Sequence, residues 1–225
     1  MQAFLVQLAP PQFKMAVVLN CLQFALGRLL YPIRGHDSRQ IIHDPAFKDI
    51  PKPNMSLEAR GCGPSGSKLL RHHTCLAEDG IGCLPDLHWT PPECSEPVKE
   101  YLLICEDIDI PIPCLVIHHG LFWGIPPSAN TATPADIKEQ DGTAKSRLTA
   151  AGWRFLPNPL GMAYCGAGAP YGHGSHRYVY TIVALNARLE FPHPEKVTKN
   201  DLKRAMLGKV IGWGQWVGTF ERTWS

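Results

Sequence analysis

A mainly β domain with peripheral helices is the fold class this sequence predicts, and three observations predict it. Its apolar runs, Tyr101-Leu102-Leu103-Ile104-Cys105 and Tyr178 to Leu185, have the length of strands buried on both faces. Helical periodicity and capping signals occur only towards the two ends of the chain. A length of 225 residues, with 44% hydrophobic and 19% charged content, suits one large β-rich unit with a sizeable core.

Taken in chain order, Val18, Leu19, Leu22, Leu26, Leu29 and Leu30 recur at helical spacing between Met15 and Leu30, with Asn20, Gln23 and Gly27 on another side. The expectation is an amphipathic helix packed on the domain's own core, with a partner-facing helix as the alternative. The segment is too short and too polar to span a membrane, and no A-x-A cleavage site follows it. Residues 1–42 therefore read as a helix and extension, and 43–225 as one globular unit. Between Tyr31 and Pro97, Pro, Gly and Asp-Pro predict irregular structure with short strands. Gly61-Cys62-Gly63-Pro64-Ser65-Gly66 matches the letters of a dinucleotide fingerprint, but Pro64 sits inside it and Ser67-Lys68-Leu69-Leu70 is too short for the helix that such a site needs. It reads as a turn-rich loop.

Leu87-His88-Trp89 precedes a Pro91-Pro92 loop, after which the strand pattern clears. Strands are expected at Tyr101 to Cys105, Val116 to Ile125, Met162 to Cys165 and Tyr178 to Leu185, with a polar connection from Asp136 to Thr143. Thr198-Lys199-Asn200-Asp201 is a capping box opening a short helix that Gly208 stops, and Trp216 to Glu221 returns as a last strand.

A formal charge of +2 without any Lys/Arg block argues against a nucleic-acid partner. The eight cysteines are scattered and form no C-x-x-C, so reduced thiols in a cytoplasmic protein are expected, although Cys75 and Cys83 could bridge a loop. Histidines and cysteines lack ligand spacing, so neither a metal nor a cofactor is expected.

Two segments carry the chemistry. One is Glu106-Asp107-Ile108-Asp109-Ile110-Pro111 with His118-His119 after it; the other is Gly172-His173-Gly174-Ser175-His176-Arg177-Tyr178. Alternation on a strand puts His118 and His119 on opposite faces, puts His176 and Tyr178 on one face, and turns Arg177 away towards an internal carboxylate. Asp107 and Asp109 share a face if their strand continues. Gly172 and Gly174 permit a positive-φ turn whose N–H groups form a nest for an anion.

The order of these segments resembles the phosphatidylethanolamine-binding protein family, also called the Raf kinase inhibitor protein family. The resemblance covers roughly His43 to Arg222. It runs through Asp107-Ile108-Asp109-Ile110-Pro111, His119 with Gly124-Ile125-Pro126-Pro127, the Gly172 to Tyr178 motif, and a tail of Gly208-Lys209 and Val217-Gly218-Thr219-Phe220. Ile108, Ile110 and Ala169 depart from the family pattern. The N-terminal helix, the Cys62 to Ser67 loop and the Gly212 to Gly218 segment look most like the fungal branch.

The resemblance implies a β-sandwich of two antiparallel sheets. It also implies a small anion pocket built from Asp107, Pro111, His119, Pro170, Gly172, His176 and Tyr178, with Asp109 and Gly174 as further ligand-binding residues. For function it implies either of two classes. One is a biosynthetic enzyme or accessory factor, acting on a small carboxylate with or without a partner enzyme, that couples maleic anhydride-type monomers to maleidride products. In that reading His119 is the general base, Asp107 fixes its tautomer, and His176 with the nest stabilises the oxyanion. The other is a non-catalytic regulator that binds phospholipid head groups or phosphorylated partners.

Overall fold

The computed structural model describes residues 11–140 and 147–223, so residues 141–143 of the expected polar connection lie outside it. In chain order the elements are α1 (Pro11–Leu30), β1 (Leu57–Arg60), β2 (Asp86–Trp89), β3 (Glu100–Asp107), β4 (Ile117–Ile125), β5 (Thr131–Ala132), β6 (Arg154–Phe155), β7 (His176–Leu185), α2 (Lys199–Met206) and β8 (Val210–Phe220), with short 3₁₀ turns between them. The strands form two sheets, β1-β2-β5 and β6-β4-β3-β7-β8. Every strand pairing is antiparallel.

Side-chain alternation in β3 explains the sandwich. Tyr101, Leu103 and Cys105 point into the core between the sheets, where they meet Leu57, Leu87 and Trp89 of the small sheet and Tyr180 and Trp216 of the large one. Leu102 and Ile104 point the other way, into a second core closed by Ile41, Phe47 and the buried face of α2, Leu202 and Met206. A strand covered on both faces needs an unbroken apolar run, which is the pattern read from the sequence. Each such side chain contributes roughly 1.5–3 kcal/mol by leaving water.

The capping box forms as expected: Thr198 accepts from the Asp201 N–H while Asp201 accepts from the Thr198 N–H, and Gly208 follows the helix with φ +69°. The glycine loop before Ser67 opens no helix. It is tied to β8 instead, with Gly66 N–H donating to Val217 O at 2.7 Å and Trp216 Nε1 to Gly63 O at 3.1 Å.

Three expectations are corrected. Met162 to Cys165 is not a strand and makes only an isolated bridge, Gly120 to Tyr164. Side chains occupy its backbone instead: Asn158 Oδ1 accepts from Met162 N–H at 3.1 Å, and Glu139 Oε1 from Ala163 N–H at 2.8 Å. Cys75 and Cys83 are not bridged, and all eight cysteines are free thiols. Finally, α1 does not lay its apolar stripe on the core: Val18, Leu19, Leu22, Leu26 and Leu29 are all exposed, whereas Gly27 is buried. Among the described residues, no helix is long and apolar enough to cross a membrane.

Candidate functional site

At the end of the large sheet where β3 finishes and β4 and β7 begin, a cavity of about 520 Å³ opens. Asp107, Pro111, His118, His119, Pro170 and His176 line it, and most of the remaining wall is apolar, including Ile81, Ile110, Ile112, Ile117, Leu160 and Met162. Among the described residues, no Lys or Arg lines it. A second cavity of about 420 Å³ lies at the far end of the same strands, lined by Lys99, Glu100, Arg154 and Arg188 and, among the described residues, by no histidine or thiol.

His119 owes its place to a β-bulge. Cys105 pairs with Gly120 and the next residue, Glu106, pairs with His118, so His119 is the extra residue in β4. The bulge breaks the strict alternation expected for the two neighbours, and both His118 and His119 reach the cavity wall. His118 has Nε2 3.1 Å from Pro157 O. His119 is more constrained. Its Nδ1 lies 3.0 Å from Cys165 O and 3.1 Å from Gly166 O. Carbonyl oxygens only accept, so Nδ1 carries the proton and Nε2 is left as a lone pair. That Nε2 is buried and has no hydrogen-bond partner. Burial holds the imidazole below its ordinary value, with the Asp107 charge opposing, so His119 is neutral at pH 7.

The tautomer of His119 is therefore set by two backbone carbonyls and not by Asp107, as had been expected. Asp107 instead holds His176, whose Nδ1 lies 2.9 and 3.1 Å from its two carboxylate oxygens. The two residues are diagonal neighbours on paired strands, since Asp107 sits opposite Tyr178. His176 Nε2 then meets His173 Nδ1 at 2.7 Å, and His173 Nε2 meets Leu30 O, at the end of α1, at 3.0 Å. Both rings are fully buried. Proton bookkeeping follows from the far end. Leu30 O can only accept, so His173 donates from Nε2 and a neutral His173 accepts at Nδ1. His176 then donates from Nε2, and its Nδ1 faces the Asp107 carboxylate.

The remaining candidates separate. Asp109 is buried against Arg177, which donates to it from the backbone N–H and from Nε and Nη2, all at 2.9 Å. Burial pushes its carboxyl up, but those bonds outweigh it and hold the group at about 2. Asp109 is thus the internal carboxylate expected for Arg177, and it does not line the cavity. Tyr178 lies beneath His119, ring edge to face at 5.0 Å, with its hydroxyl accepting from Gly168 N–H at 3.0 Å. Gly172 and Gly174 adopt the expected positive φ of +76° and +81° but do not line the cavity either.

The turn they form lies under α1. A Cβ at Gly172 would come within 2.5 Å of Phe24 O, and one at Gly27 within 1.9 Å of Tyr171 O. Only glycine at position 27 lets helix and turn approach so closely. Arg34, just beyond the helix, adds a bond to Ser175 O. The features expected to grip an anion are thus placed elsewhere: the Gly172 to Gly174 turn is under the helix, and His119 on the cavity wall is neutral.

Sequence reasoning missed His173, although it stood in plain view between the two glycines as a filler position of the motif. It also missed the carbonyls of Cys165 and Gly166, for which no side-chain signal exists.

Known proteins resemble this chain in sequence and fold. The family model described as phosphatidylethanolamine-binding protein matches residues 63–221. A protein named phomoidride biosynthesis cluster protein B, from a fungal species (strain ATCC 74256), is 34% identical over 214 residues, covering 93% of this chain and 99% of that protein. A protein of the same name from Talaromyces stipitatus is 36% identical over 214 residues, covering 92% and 84%. Among solved structures, YbcL of E. coli, described as a member of the mammalian PEBP family, superposes with a TM-score of 0.58 at 20% identity, covering 75% of this chain and 99% of that one. With two antiparallel sheets, the acidic strand end and the Gly-x-Gly-x-His-Arg-Tyr entry to β7 all in place, the chain belongs to the phosphatidylethanolamine-binding protein family.

Proposed function

We propose that this protein works in the biosynthesis of a fungal secondary metabolite, and that it couples two maleic anhydride-type monomers in the cavity beside His119. The observation that carries this reading is the buried, unpartnered Nε2 of His119 in an apolar wall. Leaving such an atom unpaired costs about 1–3 kcal/mol, which a ligand donor or a transferred proton can recover. Support from outside the structure comes from the two relatives named for phomoidride biosynthesis clusters, which align along 99% and 84% of their length.

The cavity favours an amphiphile. His119 offers a free Nε2, His176 and Asp107 are paired behind it, the cavity walls are apolar, and no Lys or Arg among the described residues lines them. A ring-closed anhydride or a protonated acid on an apolar chain fits this better than a dianion does, because burying an uncompensated charge is expensive. In the coupling step, His119 Nε2 takes a proton from the carbon next to the ring. The electron pair left behind attacks an unsaturated carbon of the second monomer, and the proton returns to the adduct. A neutral base near physiological pH typically contributes about a hundredfold to ten-thousandfold in rate.

The test is to incubate the full chain with synthetic monomers, alone and with candidate partner enzymes from the same gene cluster, and to follow dimer by mass spectrometry. Dimer that forms with wild type and falls at least about a hundredfold in His119→Asn supports the reading. Equal yields with wild type, the variant and no protein would leave a binding protein without this catalysis.

A further inference from the structure

Away from this cavity, the loop between β1 and β2 gathers His72, His73 and Cys83. Their candidate ligand atoms all lie within 4.8 Å of one another, the one such cluster of three or more among the described residues. We propose that these three side chains bind a zinc ion that staples the loop forming one wall of the candidate cavity.

The donors suit that ion. Two imidazoles and a thiolate form a mixed nitrogen and sulfur set of the kind zinc accepts in tetrahedral geometry, with the fourth position open to water or another ligand. Cys83 Sγ lies 3.5 Å from His73 Nδ1, which also lies 3.1 Å from Cys83 O, so His73 must release that carbonyl or coordinate through Nε2; the two adjacent rings are in contact, their centroids 3.9 Å apart. His73 is buried and Cys83 half-buried, while exposed His72 closes the cluster from the solvent side. A cavity of about 480 Å³ opens on it, lined by His72, Cys83, Glu78, Asp79 and Arg71, so a cation enters past two carboxylates and one guanidinium. Cys83 follows His73 by ten positions, and the fold closes that loop itself: Cys83 N–H donates to His72 O at 2.9 Å. The sequence spacing that argued against a metal therefore has no force here.

The placement also gives the ion a consequence. Within the loop it would close, Cys75, Gly80 and Ile81 line the candidate cavity. Ile81 O accepts from Gly166 N–H at 2.8 Å, and Gly166 O is one of the two acceptors that set His119. Ala167 N–H bonds His73 O at 3.0 Å. Ordering this loop orders the carbonyls behind His119.

Cobalt(II) serves as the spectroscopic probe. Reduced, chelator-treated full-length protein should bind one equivalent of cobalt with a near-ultraviolet thiolate-to-cobalt charge-transfer band, which zinc then displaces. Cys83→Ser should abolish the band and His72→Ala should weaken affinity at least about tenfold, the lower end of what even outer-shell losses cost. His72 is exposed, so that variant does not threaten the fold. Cys114→Ser, at an exposed cysteine elsewhere, should bind as wild type does. Absence of the band in wild type, or a band that survives Cys83→Ser, would overturn the proposal. So would equal affinity in His72→Ala and wild type.

Discussion

His119 and His176 are both buried, both at the same end of the large sheet and both named by one family pattern, yet they are opposites in hydrogen bonding. His176 has each nitrogen committed, one to Asp107 and one to His173. His119 has one nitrogen committed to carbonyls and the other to nothing. The first arrangement stores order, because every donor finds an acceptor as far as the last carbonyl of α1. The second stores reactivity, because a lone pair without a partner is costly until something arrives to use it. Burial and residue type are shared; what differs is the supply of acceptors around each ring.

That difference can be broken from the ordered side first, where the largest effect is expected. Asp107→Ala removes the carboxylate from a buried pair and strands His176, and should cost about 3–5 kcal/mol in urea unfolding. A cost below about 1 kcal/mol would mean that the histidine relay is incidental. Next comes Gly27→Val. Its Cβ would lie 1.9 Å from Tyr171 O, so the helix must lift off the turn, at about 1–3 kcal/mol. Hydrogen exchange should then show lost protection in α1 and around His173 together; loss in α1 alone would separate the helix from the relay.

On the reactive side the expected effect on stability is smallest. His119→Asn keeps a donor near the Nδ1 position and removes Nε2, so the cost should be about 1 kcal/mol or less. The same variant sharpens the pH dependence. Burial lowers His73, His118, His119 and His173 from 6.5, so the unfolded chain binds more protons than the native one as pH falls through 6.5. Stability is therefore complete above about pH 6.5 and declines below it. His119→Asn should make that decline shallower, as read from unfolding curves across pH 5 to 8. An unchanged slope would place the titration in the other three histidines.

How much of this was legible beforehand depended on whether side chains or backbone did the work. The double-sided run of β3 declares itself, since alternation puts Leu103 in one core and Ile104 in the other. The capping box at Thr198 is equally local. Register survived less well where a bulge intervened, and His118 therefore shares the cavity with His119. The partner of Asp107 was misjudged because diagonal neighbours across β3 and β7 depend on pairing and not on either segment alone. The helix was misjudged because its docking depends on the missing side chain of Gly27, whereas periodicity counts only side chains that are present. The meeting of His72, His73 and Cys83 is a loop closure that spacing does not encode.

His119 offers a neutral, bare Nε2 to the cavity. Nitrogen-15 NMR of the imidazoles in the full chain tests this most directly. At pH 7, His119 should show a protonated Nδ1 and an unprotonated Nε2, becoming imidazolium only below 6.5. A protonated Nε2, or an imidazolium already present at pH 7, would contradict it.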